Sequence, residues 1–223
     1  MRKKELAGYI DHTVLGPATS SEDVERVCQE AKTYGFYGVC IPPTYVARAR
    51  ELLRDTSVKV VTVVGFPHGQ HLPEVKAFEA KVAVDHGADE VDMVINVAAL
   101  KAGDYPAVLQ DIRAVREAID KAPKRVILKV ILECALLSDE EKVAGAILAK
   151  AAGADFVKTS TGFGPGGATV EDVRLLRRTV GEGMGVKAAG GIRDYETALR
   201  MIEAGASRIG ASRGVQIIQG APD

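Results

Sequence analysis

Apolar and polar positions along this chain follow two distinct periods. Short, nearly continuous apolar runs fall at 7–14, 37–42, 58–66, 89–97, 125–132, 154–160, 185–191 and 207–212. Runs of this length, bounded by turn residues, predict strands covered on both faces. Between them, apolar residues recur three and four apart. That spacing predicts helices at 20–35, 43–54, 72–86, 103–121, 138–151, 169–179, 194–204 and 213–219. In the 20–35 segment Ser20 or Ser21 can cap the N-terminus, and Val24, Val27, Cys28 and Ala31 share one face. Gly35 stops the helix. Three helix-to-strand junctions share one pattern: HGADEVDM (86–93), AGADFVKT (152–159) and AGASRIGA (204–211).

Strands alternating with helices predict a parallel sheet. Eight such units with no linker or composition shift predict one α/β domain over 1–223, closed into a (β/α)8 TIM barrel. An open Rossmann-like sheet is the alternative, but no G-x-G-x-x-G follows the first strand.

Composition adds exclusions. The 223 residues carry a net charge of −1 and no long basic run, so neither nucleic acid nor a membrane surface is an expected partner. The start, MRKKELAGYIDHT, lacks the apolar stretch of a signal peptide, and no apolar run has membrane-spanning length. Cys28, Cys40 and Cys134 are odd in number and far apart, which argues against a disulfide framework or a cysteine zinc site. These features together lead us to expect a cytoplasmic protein.

Charge changes the picture more where it interrupts the apolar runs. Asp92 lies in the fourth strand, Lys129 in the fifth with Glu133 just beyond it, Lys158 in the sixth and Lys187 in the seventh. A fully covered strand should carry none of these. Neighbouring barrel strands would gather three ammonium groups and a carboxylate at one mouth. A structural ion-pair network is the plainer reading, although lysine outnumbers carboxylate here. The functional reading is a Schiff-base lysine. Such an amine must be neutral to attack a carbonyl, and both burial and a neighbouring cation lower its pKa.

Glycine-rich turns follow the late strands at TGFGPGGAT (161–169), GGIRD (190–194) and GASRG (210–214). Turns leading into helix N-termini bind anions, and barrels commonly hold phosphate after strands seven and eight. Gly190, Gly191 and Arg193 belong to one such turn, and Gly210 and Ser212 to the other. His68 and His71 show no carboxylate–histidine spacing, so no metal or cofactor is expected. Cys40 ends the second strand near the predicted mouth, as a candidate thiol or simply a buried residue. Cys28 and Cys134 read as core.

The motifs VKTSTGFG (157–164), VKAAGGIR (186–193), EVDMVIN (90–96), KVILE (129–133), IDHTVL (10–15) and VVGFPHG (63–69) resemble those of the deoxyribose-phosphate aldolases. The likeness runs collinearly from about 6 to 218. It implies a metal-free class I aldolase interconverting 2-deoxy-D-ribose 5-phosphate with D-glyceraldehyde 3-phosphate and acetaldehyde, in deoxyribose phosphate catabolism. It further implies Lys158 as the Schiff-base lysine, Lys187 as its partner and Asp92 as the proton-moving group. Asp11, Lys129 and Thr159 would line the substrate pocket. Gly162, Gly190, Gly191, Gly210 and Ser212 would bind phosphate, and the protein would form a homodimer or homotetramer. Three positions depart from the family pattern. Gly16 stands where a lysine is common, and Arg213 follows Ser212 where a second serine is common. The chain ends GAPD, so no tail tyrosine is expected at the site. Two other readings stay open, another Schiff-base barrel enzyme such as a transaldolase, and a non-catalytic sugar-phosphate-binding barrel.

Overall fold

A computed structural model describes the whole chain, Met1 to Asp223. Its strands are β1 (Ile10–Thr13), β2 (Gly38–Ile41), β3 (Lys59–Val64), β4 (Glu90–Val94), β5 (Ile127–Ile131), β6 (Phe156–Lys158), β7 (Gly185–Ala189) and β8 (Arg208–Ala211). Each pairs in parallel with the next, and β8 closes onto β1 with Asp11 beside Gly210. This is the predicted TIM barrel. The helices are α1 (Lys3–Ala7), α2 (Ser21–Tyr34), α3 (Val46–Leu52), α4 (Pro73–Asp85), α5 (Val97–Lys101), α6 (Tyr105–Ile119), α7 (Asp139–Ala151), α8 (Val170–Val180), α9 (Tyr195–Glu203) and α10 (Gly214–Gln219).

Local chemistry sets most boundaries as expected. Ser20 accepts a hydrogen bond from Asp23 N at 3.2 Å, and Gly35 closes α2 in the left-handed region. Val24, Val27, Cys28 and Ala31 are all buried. Two helices escape the periodicity. α1 is a single short turn-and-a-half before β1. α5 lies in the tail of the 89–97 apolar run, where the Asn96 side chain caps it by accepting from Ala99 N at 3.0 Å. That cap ends β4 at Val94. The predicted 43–54 helix starts with a 3-10 turn at Pro43–Tyr45.

The repeated junctions have a physical reason. Gly87, Gly153 and Gly205 each take positive φ, at 111°, 83° and 115°. Two residues on, Asp89, Asp155 and Ser207 accept from backbone N–H groups near the start of the adjacent strand. Their donors are Val60 (2.9 Å), Leu128 (2.9 Å) and Val186 (3.2 Å). The pattern therefore seals the N-terminal ends of β3, β5 and β7.

The main core of 55 buried apolar residues fills the space around the barrel, with Cys40, Val61 and Val63 forming a separate small cluster. Cys40, Val61 and Val63 point into the barrel and line its β2–β3 side. The three cysteines are unpaired and buried. No helix is long and apolar enough to cross a membrane.

Candidate active site

Charged side chains also face the barrel interior, and they close into a ring. Asp92 accepts from Lys187 Nζ (2.8 Å) and Lys129 Nζ (2.8 Å). Lys187 also donates to Asp11, and Lys129 pairs with Glu90. Arg208 joins the two ends, 3.2 Å from Asp11 and 2.9 Å from Glu90. Three carboxylates thus alternate with three cations. The Tyr37 hydroxyl donates to Glu90 at 2.7 Å, and its ring lies 3.4 Å under the Arg208 guanidinium. Lys158 stands outside the ring and donates to Asp92 at 3.0 Å. All seven charged groups are buried.

The surplus cation is therefore a single group, Lys158. Burial pushes its pKa down. Asp92 opposes that shift, and Lys187 adds to it. Lys187 behaves oppositely. Burial would lower it, but Asp11 and Asp92 outweigh burial and hold it charged. For Asp92, burial favours the neutral acid, yet Lys129, Lys187 and Lys158 keep the carboxyl well below its ordinary value. The sequence predicts that burial and a neighbouring cation both lower the Lys158 pKa; in the fold burial is the larger of the two, and Lys187, itself held charged, is the second.

Lys158 is the last residue of β6, at the C-terminal end of the barrel. There it reaches a cleft of about 350 Å³ between the turns after β6, β7, β8 and β1. Gly162, Gly190, Gly191, Gly210 and Ser212 line this cleft, as does Arg193. The N–H groups of Gly162, Gly190, Gly191 and Ser212 donate to no protein acceptor. They are free for an anion. The turns after β6 and β7 pack closely, with Ala168 N donating to Gly190 O at 3.0 Å. A Cβ on Gly167 would lie 2.2 Å from that oxygen, so only glycine permits the approach.

Other expected residues lie elsewhere. Asp11 and Lys129 sit in the ring beneath the cleft and do not line it. Thr159 is fully buried, and its hydroxyl donates to Ala189 O (3.2 Å) and accepts from Ala189 N (3.1 Å). It ties β6 to β7. Arg213 occupies the N-cap position of α10 without a side-chain cap bond and does not line the cleft, whereas Gly16 does. Cys40 is buried inside the barrel, and its thiol is pushed up by burial. His68 and His71 are exposed, and no cluster of three metal-ligating side chains forms around them. Sequence reasoning missed Glu90 and Arg208. Each opens its strand, where a charge reads as loop; Glu90, however, lies two residues before Asp92, on the same inward face.

A family model described as DeoC/LacD family aldolase matches residues 6–220. The deoxyribose-phosphate aldolase of Streptococcus suis is 59% identical over 218 residues, 97% of each chain. That of Thermococcus kodakarensis is 58% identical over 225 residues, covering both chains completely. The tetrameric deoxyribose phosphate aldolase of Aeropyrum pernix superposes with a TM-score of 0.90 at 36% identity, covering 97% of this chain and 91% of that one. With the barrel, the interior lysines and the anion-ready cleft, these matches show that the chain belongs to the DeoC/LacD family of aldolases, enzymes of the lyase class.

Proposed function

We propose that the protein is a Schiff-base aldolase that cleaves 2-deoxy-D-ribose 5-phosphate to D-glyceraldehyde 3-phosphate and acetaldehyde, and runs the reverse addition. One observation carries this reading. Of the three lysines bound to Asp92, only Lys158 also lines the cleft. Its amine attacks the substrate aldehyde, and loss of water leaves an iminium. A base removes the proton of the C3 hydroxyl. The C2–C3 bond then breaks, its electron pair neutralises the iminium as an enamine, and the three-carbon phosphate leaves. Protonation at C2 and hydrolysis release acetaldehyde and the amine. Asp92, held as the anion, suits the part of proton acceptor. Gly162, Gly190, Gly191 and Ser212 offer their N–H groups to the phosphate, with Gly210 beside them and Arg193 adding charge. Asp11 and Lys129 support the site through Lys187 and Asp92.

The reaction belongs to deoxyribose phosphate catabolism. The unpaired cysteines suit a reducing cytoplasm. A homodimer or homotetramer is supported by the described tetramer of the Aeropyrum relative and by an exposed apolar stripe running from Leu72, the N-cap of α4, to Val75 and Phe78 on that helix.

The test is borohydride reduction in the presence of acetaldehyde. We expect a two-carbon adduct on Lys158. No adduct would overturn the Schiff-base mechanism, and an adduct on another lysine would overturn the assignment to Lys158.

A further inference from the structure

Glu133 lies just past the end of β5 and is the one residue other than glycine with positive φ, at 59°. Side chains avoid that region unless the surroundings impose it, and such strain clusters at functional sites. Its carboxylate is buried and has no cationic partner among the ion pairs. Both oxygens are committed to a single residue of the cleft wall. Thr161 N donates to Oε1 at 3.1 Å, and Thr161 Oγ1 donates to Oε2. The same Thr161 hydroxyl accepts from Phe163 N at 3.0 Å. Gly164 then passes so close that a Cβ would lie 2.9 Å from the carboxylate. A buried carboxyl group is costly unless its hydrogen bonds are met, and both oxygens of this one are met by the turn it organises.

The consequence falls on Gly162. The N–H groups on either side of it, those of Thr161 and Phe163, are spent on the relay. Gly162 N–H has no protein acceptor and faces the cleft as a lining residue. Phe163 also meets Phe66 edge-on at 5.5 Å, which braces the turn from the β3 side.

We propose that Glu133 is a positioning residue for phosphate recognition: through Thr161 it fixes the turn after β6 so that the Gly162 N–H is presented to the substrate phosphate. This rests on the aldolase reading above. It goes beyond that reading in assigning a residue outside the reacting atoms to selectivity for a phosphorylated sugar.

The test compares kcat/KM for 2-deoxyribose 5-phosphate with that for unphosphorylated 2-deoxyribose in wild type, Thr161→Val, Thr161→Ser and Glu133→Gln. Thr161→Val keeps the shape and the backbone N–H bond to Glu133 but removes the hydroxyl that links Glu133 to Phe163 N–H. It should lower the preference for the phosphorylated sugar about tenfold, mostly through a higher KM. Glu133→Gln should act in the same direction, and Thr161→Ser should retain the preference. An unchanged preference in both Thr161→Val and Glu133→Gln, or equal losses on both sugars, would overturn the assignment. Borohydride trapping with acetaldehyde runs alongside. A wild-type protein that fails to trap indicts the aldolase reading itself, whereas trapping with unchanged preference indicts only Glu133.

Discussion

Lys158, the nucleophile of the proposed reaction, is also a stability liability. Its pKa in the folded chain lies below the unfolded value of about 10.4. Between those two values the unfolded chain binds a proton that the folded chain refuses. Stability is therefore lost as pH falls through that window. Lys158→Met removes the liability and leaves Asp92 with Lys129 and Lys187. Thermal melts should show a rise of about 2–4 °C near neutral pH, the shift expected for ~1 kcal/mol in a chain of this size, with activity abolished. A lower melting temperature would show that the amine stabilises the fold. Lys187→Met tests the neighbour. With that cation gone, one of the forces lowering Lys158 disappears, and the acid limb of the kcat/KM profile should move to higher pH. A limb that stays in place would confine Lys187 to holding Asp11 and Asp92. At this scale the sequence was legible where a charge interrupted a late apolar run, as at Asp92, Lys129, Lys158 and Lys187, whereas Asp11 inside β1 was named only by the family resemblance. It was opaque at Glu90 and Arg208, because a charge at a strand's first position looks the same whether it faces in or out. Thr159 was misplaced for a related reason: adjacency to Lys158 along a strand puts it on the opposite face.

The elements themselves were read from period and punctuation, and those signals failed only where they were short. α1 and α5 span five residues each, too few for a helical repeat to declare itself. α4 shows a different conflict. Lys76 lies on its buried face, donating to Asp111 of α6 at 2.6 Å and to Val94 O at 3.0 Å. Burial pushes the Lys76 pKa down and the Asp111 pKa up, each toward neutrality, so desolvation works against the pair at both ends. Asp111 Oδ1 has no partner at all. Lys76→Met alone should cost about 3–5 kcal/mol in denaturant unfolding, because it strands a buried carboxylate. Adding Asp111→Leu should recover most of that loss. A double variant no better than the single would mean that the pair holds α4 against α6 by more than charge.

For the whole molecule, apolar residues on the outside matter as much as charges on the inside. Leu72 at the N-cap of α4 and Val75 and Phe78 on its exposed side follow one another three residues apart, and Phe78 is 68% exposed. If this stripe joins two copies of the chain, Phe78→Glu should yield a smaller particle by light scattering, while the trapped adduct on Lys158 still forms. An unchanged mass would place the interface elsewhere. The closed alternation of three carboxylates with three cations inside the barrel has a calorimetric consequence. In the proposed reaction a resting site with Lys158 neutral is electrically even, and converting that amine and a carbonyl into an iminium and water consumes a proton from solution. The heat of adding acetaldehyde should then vary with the ionisation enthalpy of the buffer, by the amount of one proton per site. A buffer-independent heat would mean that the nucleophile already carried its proton.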